Sequence, residues 1–171
     1  EQDEEDIKIY QKCLSLGWIE PGYICSIGKV SIDDFLPQTE GYVHMLDNVK
    51  NPIGKMELFQ KITNILLNTL VFIFGKCEGG VDDLLPLLTY VIIKSAPKYF
   101  AANLKYIELY YPNLGNGNER QLLIMLIAVK EKILNFSYED LNGNEISKEK
   151  YIETINDWNN NVAKDVAAIF T

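Results

Sequence analysis

Residues 84–93 read LLPLLTYVII, and no other stretch constrains the chain as much. Wound as a helix, this run is apolar on nearly every side, with only Thr89 and the following Lys94 as breaks. Such a helix lies at the centre of its domain or beneath a partner. The run is too short to cross a bilayer, which needs about 20 apolar residues, and so is the run at 63–74. Gly79, Gly80, Asp82 and Asp83 stand at its mouth, and Ala96-Pro97 stops it. Proline lacks an N–H, so it suits only the first residues of a helix, whose N–H groups have no intrahelical partner. With Asp83 as N-cap, Pro86 falls three residues in, where the loss is harmless. With Asp82 as cap it lies one residue deeper and removes a bond. The spacing predicts a helix over 83–95, capped by Asp83 at a gain of about 1 kcal/mol. Asp82 is then left outside the helix without a structural job. A solvated loop acid near the positive end of the helix dipole is the plain alternative.

The rest of the chain reads as helices between turn signals. Residues 1–6, EQDEED, form a frayed acidic start. Ile7, Tyr10, Cys13 and Leu14 recur at helical spacing, and Gly17 ends that element. Residues 18–38 hold Trp18, Pro21, Gly22, Gly28 and Pro37 and read as an irregular connection with one short helix. Thr39 is the expected cap of a helix over 39–49. Asn51-Pro52 opens a helix over 52–74, a cap residue followed by proline at the first helical position. Further helices are expected over 98–110 and 119–134, separated by PNLGNGN at 112–118. Ser147 caps a last helix to about residue 170, with Tyr151, Ile155, Trp158, Val162, Val166 and Ile169 on its apolar side. No strand alternation and no internal repeat is visible. The fold class is all-α, a layered bundle of about seven helices.

Composition limits the partners. Of the 171 residues 47% are hydrophobic, enough for a packed core, and the net charge is -8. A nucleic-acid binder carries a basic footprint, so nucleic acid is not an expected partner. An anionic membrane surface is disfavoured for the same reason. Cys13, Cys25 and Cys77 form no CxxC pair and are odd in number, which fits a reducing, cytoplasmic compartment. The first residue is Glu, and the sequence reads as a domain excised from a longer chain.

GGVDDLLPLLTYVIIKSAPKYFAANLKYI, residues 79–107, resembles the core of the VPS-nine domain, found in exchange factors for endosomal Rab GTPases. The family pattern is Asp-Asp, an apolar pair, a proline, a long apolar helix ending in Lys, then Pro, then Asn shortly before Tyr-Ile. Here these are Asp82-Asp83, Pro86, Tyr90, Lys94, Pro97, Asn103 and Tyr106-Ile107. Residues 51–70 and 16–27 are similar to the elements that precede the motif. The resemblance implies a division into an opening helix (1–15), a VPS-nine-like core (16–135) and a turn region with a C-terminal helix (136–171). It implies nucleotide exchange on a Rab-five-type small GTPase, with recruitment to endosomal membranes through flanks or partners and without insertion into the bilayer. No cofactor and no metal are implied. Asp82 matches the acidic finger that opposes the phosphates and magnesium of the GTPase and engages its phosphate-loop lysine. Asp83, Pro86, Leu87, Tyr90, Val91, Asn103, Tyr106, Arg120 and Leu123 are the implied GTPase-binding positions. The groove expected from this is formed by Leu87, Tyr90 and Val91 with Leu122, Leu123 and Leu126, core packing being the alternative for each. The family also carries a Tyr at the start of the later helix and a Thr three residues on. Anchoring on Ala128-Val129 puts Arg120 and Leu123 there, and a gapless loop puts Leu123 and Leu126. Neither register supplies Tyr or Thr, so the second reading is an adaptor that binds a Rab GTPase without accelerating exchange.

Other motifs fall short. GYICSIGKVS, 22–31, has five residues between its glycines and Val30 where a phosphate loop needs Ser or Thr. DLNGNE, 140–145, lacks the ligand spacing of a calcium loop. Asn135-Phe136-Ser137 is a glycosylation sequon, idle in the cytosol. His44, the only histidine, has no His or Cys near it in sequence with which to hold a metal.

Overall fold

The computed structural model describes residues 4–25, 35–74, 81–114, 117–141 and 146–161, without the side chains of residues 73, 74, 81 and 82. The described residues form eight α-helices and no strand: α1 (Glu4–Ser15), α2 (Pro21–Ile24), α3 (Leu36–Met45), α4 (Pro52–Phe74), α5 (Val81–Ser95), α6 (Phe100–Tyr110), α7 (Asn118–Leu134) and α8 (Lys148–Asn161). The fold is therefore all-α, as the periodicity predicts. Short 3-10 turns at Leu46–Asn48 and Tyr138–Asp140 follow α3 and α7. The glycines at 75, 79 and 80, Cys77, residues 26–34, 142–145 and 162–171 lie outside the described residues, and with them most of the phosphate-loop-like and calcium-loop-like segments and the end of the last predicted helix.

α5 is the central layer. It packs against α1, α2, α3, α4 and α7. Leu87, Leu88, Tyr90, Val91 and Ile92 have no exposed surface at all. Burying each such side chain stabilises by about 1.5–3 kcal/mol. Lys94 closes the helix by donating to the carbonyl of Gly17 at 2.5 Å, and burial holds its ammonium below the ordinary lysine range. The α4 start follows the sequence: the Asn51 side chain accepts from the Gly54 N–H at 2.6 Å. Gly54 is required there, because a Cβ would sit 2.5 Å from Cγ1 of Val49. Ser147 likewise accepts from the Lys150 N–H at 3.2 Å at the start of α8.

Three local expectations are corrected. α3 begins at Leu36 rather than Thr39, because Pro37 sits in its first turn, where a missing N–H is harmless. Thr39 is a buried mid-helix residue whose hydroxyl donates to the Leu36 carbonyl at 2.9 Å, and it caps nothing. α5 begins at Val81, so Asp82 and Asp83 both lie in its first turn, Asp83 is not the cap, and Pro86 is inside the helix. Pro86 leaves the carbonyl of residue 82 without its helical bond, a net loss of about 1 kcal/mol. Two aspartates at the positive helix end gain about 0.3–1 kcal/mol each. These terms are of one size, so the position of the proline does not fix the start of the helix.

The acidic opening is also not wholly frayed. α1 starts at Glu4, and Asp6 is fully buried. Its Oδ1 accepts from the backbone N–H of Ala101 at 2.8 Å and of Ala102 at 3.2 Å. Tyr99, at the cap position of α6, supplies no side-chain bond. Asp6 thus caps α6 from a helix 95 residues away in sequence.

Candidate functional site

α4 ends at Phe74 and α5 begins at Val81, and the two helices pack together. A cleft of about 430 Å³ opens near this end of α5, between α4 and α7. From α4 it is faced by Gln60, Thr63, Asn64 and Leu67, and from α7 by Asn118, Gln121, Leu122 and Met125. Each set follows an i, i+3, i+4, i+7 stripe, so each is one face of one helix. Leu84, the residue after Asp83, completes it from α5. The floor is apolar: Leu84 and Leu122 are buried, and Leu67 and Met125 are half-buried. No lining residue is charged.

The predicted site residues divide into three groups. Asp83 and Pro86 are half-buried in the first two turns of α5, beside the cleft, and Asp82 shares that first turn. Leu87, Tyr90, Val91 and Leu123 form a second group, along with Leu122 and Leu126. All except Leu122 have no exposed surface, and Leu122 retains 7%. These side chains are core, covered by the chain's own helices, and of the six only Leu122 reaches the cleft. Burial pushes the Tyr90 phenol up from its ordinary range. Its hydroxyl has no hydrogen-bond partner among the described residues.

The third group lies on α6. Asn103 is buried and accepts from Nζ of Lys55 at 2.7 Å, while its amide donates to Asp47 at 3.0 Å. Lys55 also donates to the Leu46 carbonyl at 2.6 Å, and its ammonium stands 5.6 Å from the Tyr106 ring centroid. The Tyr106 hydroxyl donates to the Lys50 carbonyl at 2.7 Å. Asn103 and Tyr106 therefore fasten the α3–α4 connection onto α6, away from the cleft. Burial lowers the Lys55 pKa, and nearby Asp47 opposes that shift. The hydrogen bonds hold the charge in place.

Arg120 is half-buried and does not line the cleft. The polar α7 residues that do face it are Asn118 and Gln121. Reasoning from sequence missed both. The signal that finds them is burial: Leu122, Leu123, Leu126 and Val129 define the core face of α7, which leaves 118 and 121 on its flank.

His44 meets the Ser95 carbonyl at 2.8 Å through Nε2. Among the described residues no group of His, Cys, Asp and Glu is arranged to hold a metal ion. No described helix is long and apolar enough to cross a membrane.

The family model for the "Vacuolar sorting protein 9 (VPS9) domain" matches residues 36–138, from the start of α3 to the turn after α7. The chain belongs to the VPS9 domain family. The match takes in α4, α5 and α7, all three walls of the cleft. Among curated relatives, this VPS9 domain is 23% identical over 156 residues to the human "Rab5 GDP/GTP exchange factor", covering 82% of this chain and 31% of that protein. It is 26% identical over 97 residues to the Xenopus laevis "GTPase-activating protein and VPS9 domain-containing protein 1", covering 57% of this chain and 7% of that protein. The Caenorhabditis briggsae "Receptor-mediated endocytosis protein 6" is 28% identical over 74 residues, 43% of this chain and 7% of its own length. The chain thus spans less than a third of the length of these relatives.

Proposed function

We propose that this domain promotes GDP release from a Rab5-type small GTPase, with Asp82 as the acidic finger. The observation that carries the reading is the cleft between α4 and α7, which opens beside the α5 turn bearing Asp82 and Asp83. Membership of the VPS9 family and the likeness to a Rab5 exchange factor support it. GDP is held largely by magnesium, the phosphate-loop backbone and its lysine. A carboxylate that competes for that lysine and stands about 5 Å from the phosphate, at an effective dielectric of about 20, raises the energy of the bound state by about 3 kcal/mol. That is roughly a hundredfold in release rate. No covalent step is needed, because binding the nucleotide-free GTPase better than the loaded form is sufficient. Asp83, one residue on, adds negative potential at the same helix end, and Pro86 shapes the turn that carries both. The domain acts in the cytoplasm and is recruited to endosomal membranes by other parts of its chain or by partners.

A mant-GDP release assay on Rab5-type GTPases tests this directly. Wild type accelerates release, and Asp82→Ala loses most of the acceleration while retaining the helical circular dichroism of wild type. An unchanged rate in the variant refutes the acidic finger. A specific observation favours one second reading: α7 presents Asn118 and Gln121 to the cleft, with neither Tyr nor Thr between them or in either expected register. On that reading the domain binds the GTPase without accelerating release, and fast exchange by wild type eliminates it.

A further inference from the structure

The last helix is fastened to the core at one end. Tyr151, in the first turn of α8, is its one buried residue. The Tyr151 ring meets Trp18 edge-on at 6.1 Å and lies 5.7 Å from the ring of Tyr138, whose hydroxyl donates to the Ile146 carbonyl at 2.8 Å. Beyond this cluster no described residue of α8 is buried, and a second cleft, of about 310 Å³, opens between α8 and α1. Ser15, Leu134 and Ile155 form its base, Trp158 stands on the α8 wall, and Lys8 and Lys12 stand on the α1 wall. Ser15 is buried, and Leu134, Ile155 and Trp158 are half-buried. Lys8 and Lys12 are the only charged side chains among the described residues that line it, in a chain of net charge -8. Glu5, one turn before Lys8, is drawn to Lys130 at 3.2 Å.

Two lysines one helical turn apart place two positive charges about 6 Å apart along one wall. The opposite wall offers an aromatic ring over an apolar base. The positive field is local, since screening limits it to a Debye length of about 8 Å. A membrane or a nucleic acid extends past that distance and meets the acidic remainder of the chain, whereas a short acidic segment does not. We propose that this cleft docks an acidic amphipathic helix of a partner protein. Carboxylates at positions i and i+4 of that helix face Lys8 and Lys12. An apolar side chain at i+3 enters beside Trp158, because these three positions share one helix face. The surface is independent of the GTPase reading. On α7 the cleft beside α4 reaches Met125, while this one begins at Leu134, about 14 Å further along the helix axis. The partner helix and a GTPase are therefore held at the same time, and the partner determines where the domain is recruited.

The probe is a synthetic helical peptide with Glu at i and i+4 and Leu at i+3, titrated into the whole chain by calorimetry and by tryptophan fluorescence. Wild type binds it at concentrations below about 1 mM, and the emission shifts because Trp158 lines the cleft. Trp158→Ala weakens binding about tenfold and removes the shift, with Trp18 remaining as the unresponsive fluorophore. Lys8 is exposed and Lys12 half-buried, so the double variant Lys8→Glu, Lys12→Glu keeps its fold, which circular dichroism verifies. It binds the peptide about tenfold more weakly, the scale of two surface ion pairs turned to repulsion. A peptide with Lys at i and i+4 restores its binding, and non-specific adhesion does not give that exchange. The proposal is overturned if wild type does not bind the acidic peptide, or if the double variant binds it as tightly as wild type. It is also overturned if wild type sediments with phosphatidylserine vesicles and the double variant does not, which makes the cleft a lipid site. GDP release from a Rab5-type GTPase by the double variant stays at the wild-type rate. Failure of the peptide alone therefore leaves the GTPase assignment standing, while lost exchange in this variant would place the surface within the GTPase site.

Discussion

Asp6 links the first turn of α1 to the start of α6, and its removal gives a stability change that follows from the geometry. Two backbone N–H groups, those of Ala101 and Ala102, point at one buried carboxylate oxygen. Hydrogen bonds to a charged acceptor contribute about 1.5–3 kcal/mol, and the bond at 3.2 Å belongs at the lower end. Asp6→Ala removes both and leaves the N–H of fully buried Ala101 without its acceptor. Because these terms overlap, the expected loss is about 3–4 kcal/mol rather than their sum. Asp6→Asn keeps an acceptor oxygen and loses the charge, so about 1 kcal/mol is expected, within the range of charge effects at helix ends. Urea unfolding followed by circular dichroism measures both. The alanine variant also melts about 6–16 °C lower, as scaled for a chain of this size. An alanine variant within about 0.5 kcal/mol of wild type, the level of an ordinary surface change, would refute a capping role and return Asp6 to the frayed segment that the sequence suggests.

Two further outcomes follow from the described helices. Pro86→Ala restores the N–H that the carbonyl of residue 82 lacks and relieves the ring clash in α5, so the domain is stabilised by about 1 kcal/mol after the loss of proline's effect on the unfolded chain; a lowered melting temperature would contradict the helical path through Pro86. Cys13 and Cys25 are buried, and burial raises both thiols, that of Cys25 to about 12. Native protein is therefore alkylated at these two positions at least about a thousandfold more slowly than unfolded protein, as mass spectrometry of iodoacetamide adducts will show. The sign of the pH dependence follows: the unfolded thiols lose protons first, so stability falls as pH rises from about 8.5 toward 12.

Much of the architecture was legible because helix boundaries are local chemistry. Asn51-Pro52 marks the start of α4, and Ala96-Pro97 marks the stop of α5. The all-round apolar run correctly placed α5 at the centre. Asp6 was not legible, because a cap supplied from 95 residues away leaves no trace in the spacing of either helix. The start of α5 was misplaced because the proline rule compares single hydrogen bonds, while helix ends are decided by several terms of that same size.

The candidate site shows how a shift of two residues changes which side chains of a helix face a cleft. Successive α-helical residues are about 100° apart, so a shift of two turns a side chain by about 200°. Arg120 and Leu123 lie two residues beyond Asn118 and Gln121. The shift exchanges a pair facing the cleft for one half-buried and one fully buried residue. A resemblance fixes the helix readily, since Leu122, Leu126, Val129 and Ile133 repeat at core spacing. It fixes the register only if the polar face is read as well, and on α7 that face presents Asn118 and Gln121 to the cleft, while neither expected register supplies Tyr or Thr. Family membership and site chemistry are thus separate conclusions here. The first rests on the family match over residues 36–138, and the second on the polar side chains of α4 and α7 that face the cleft.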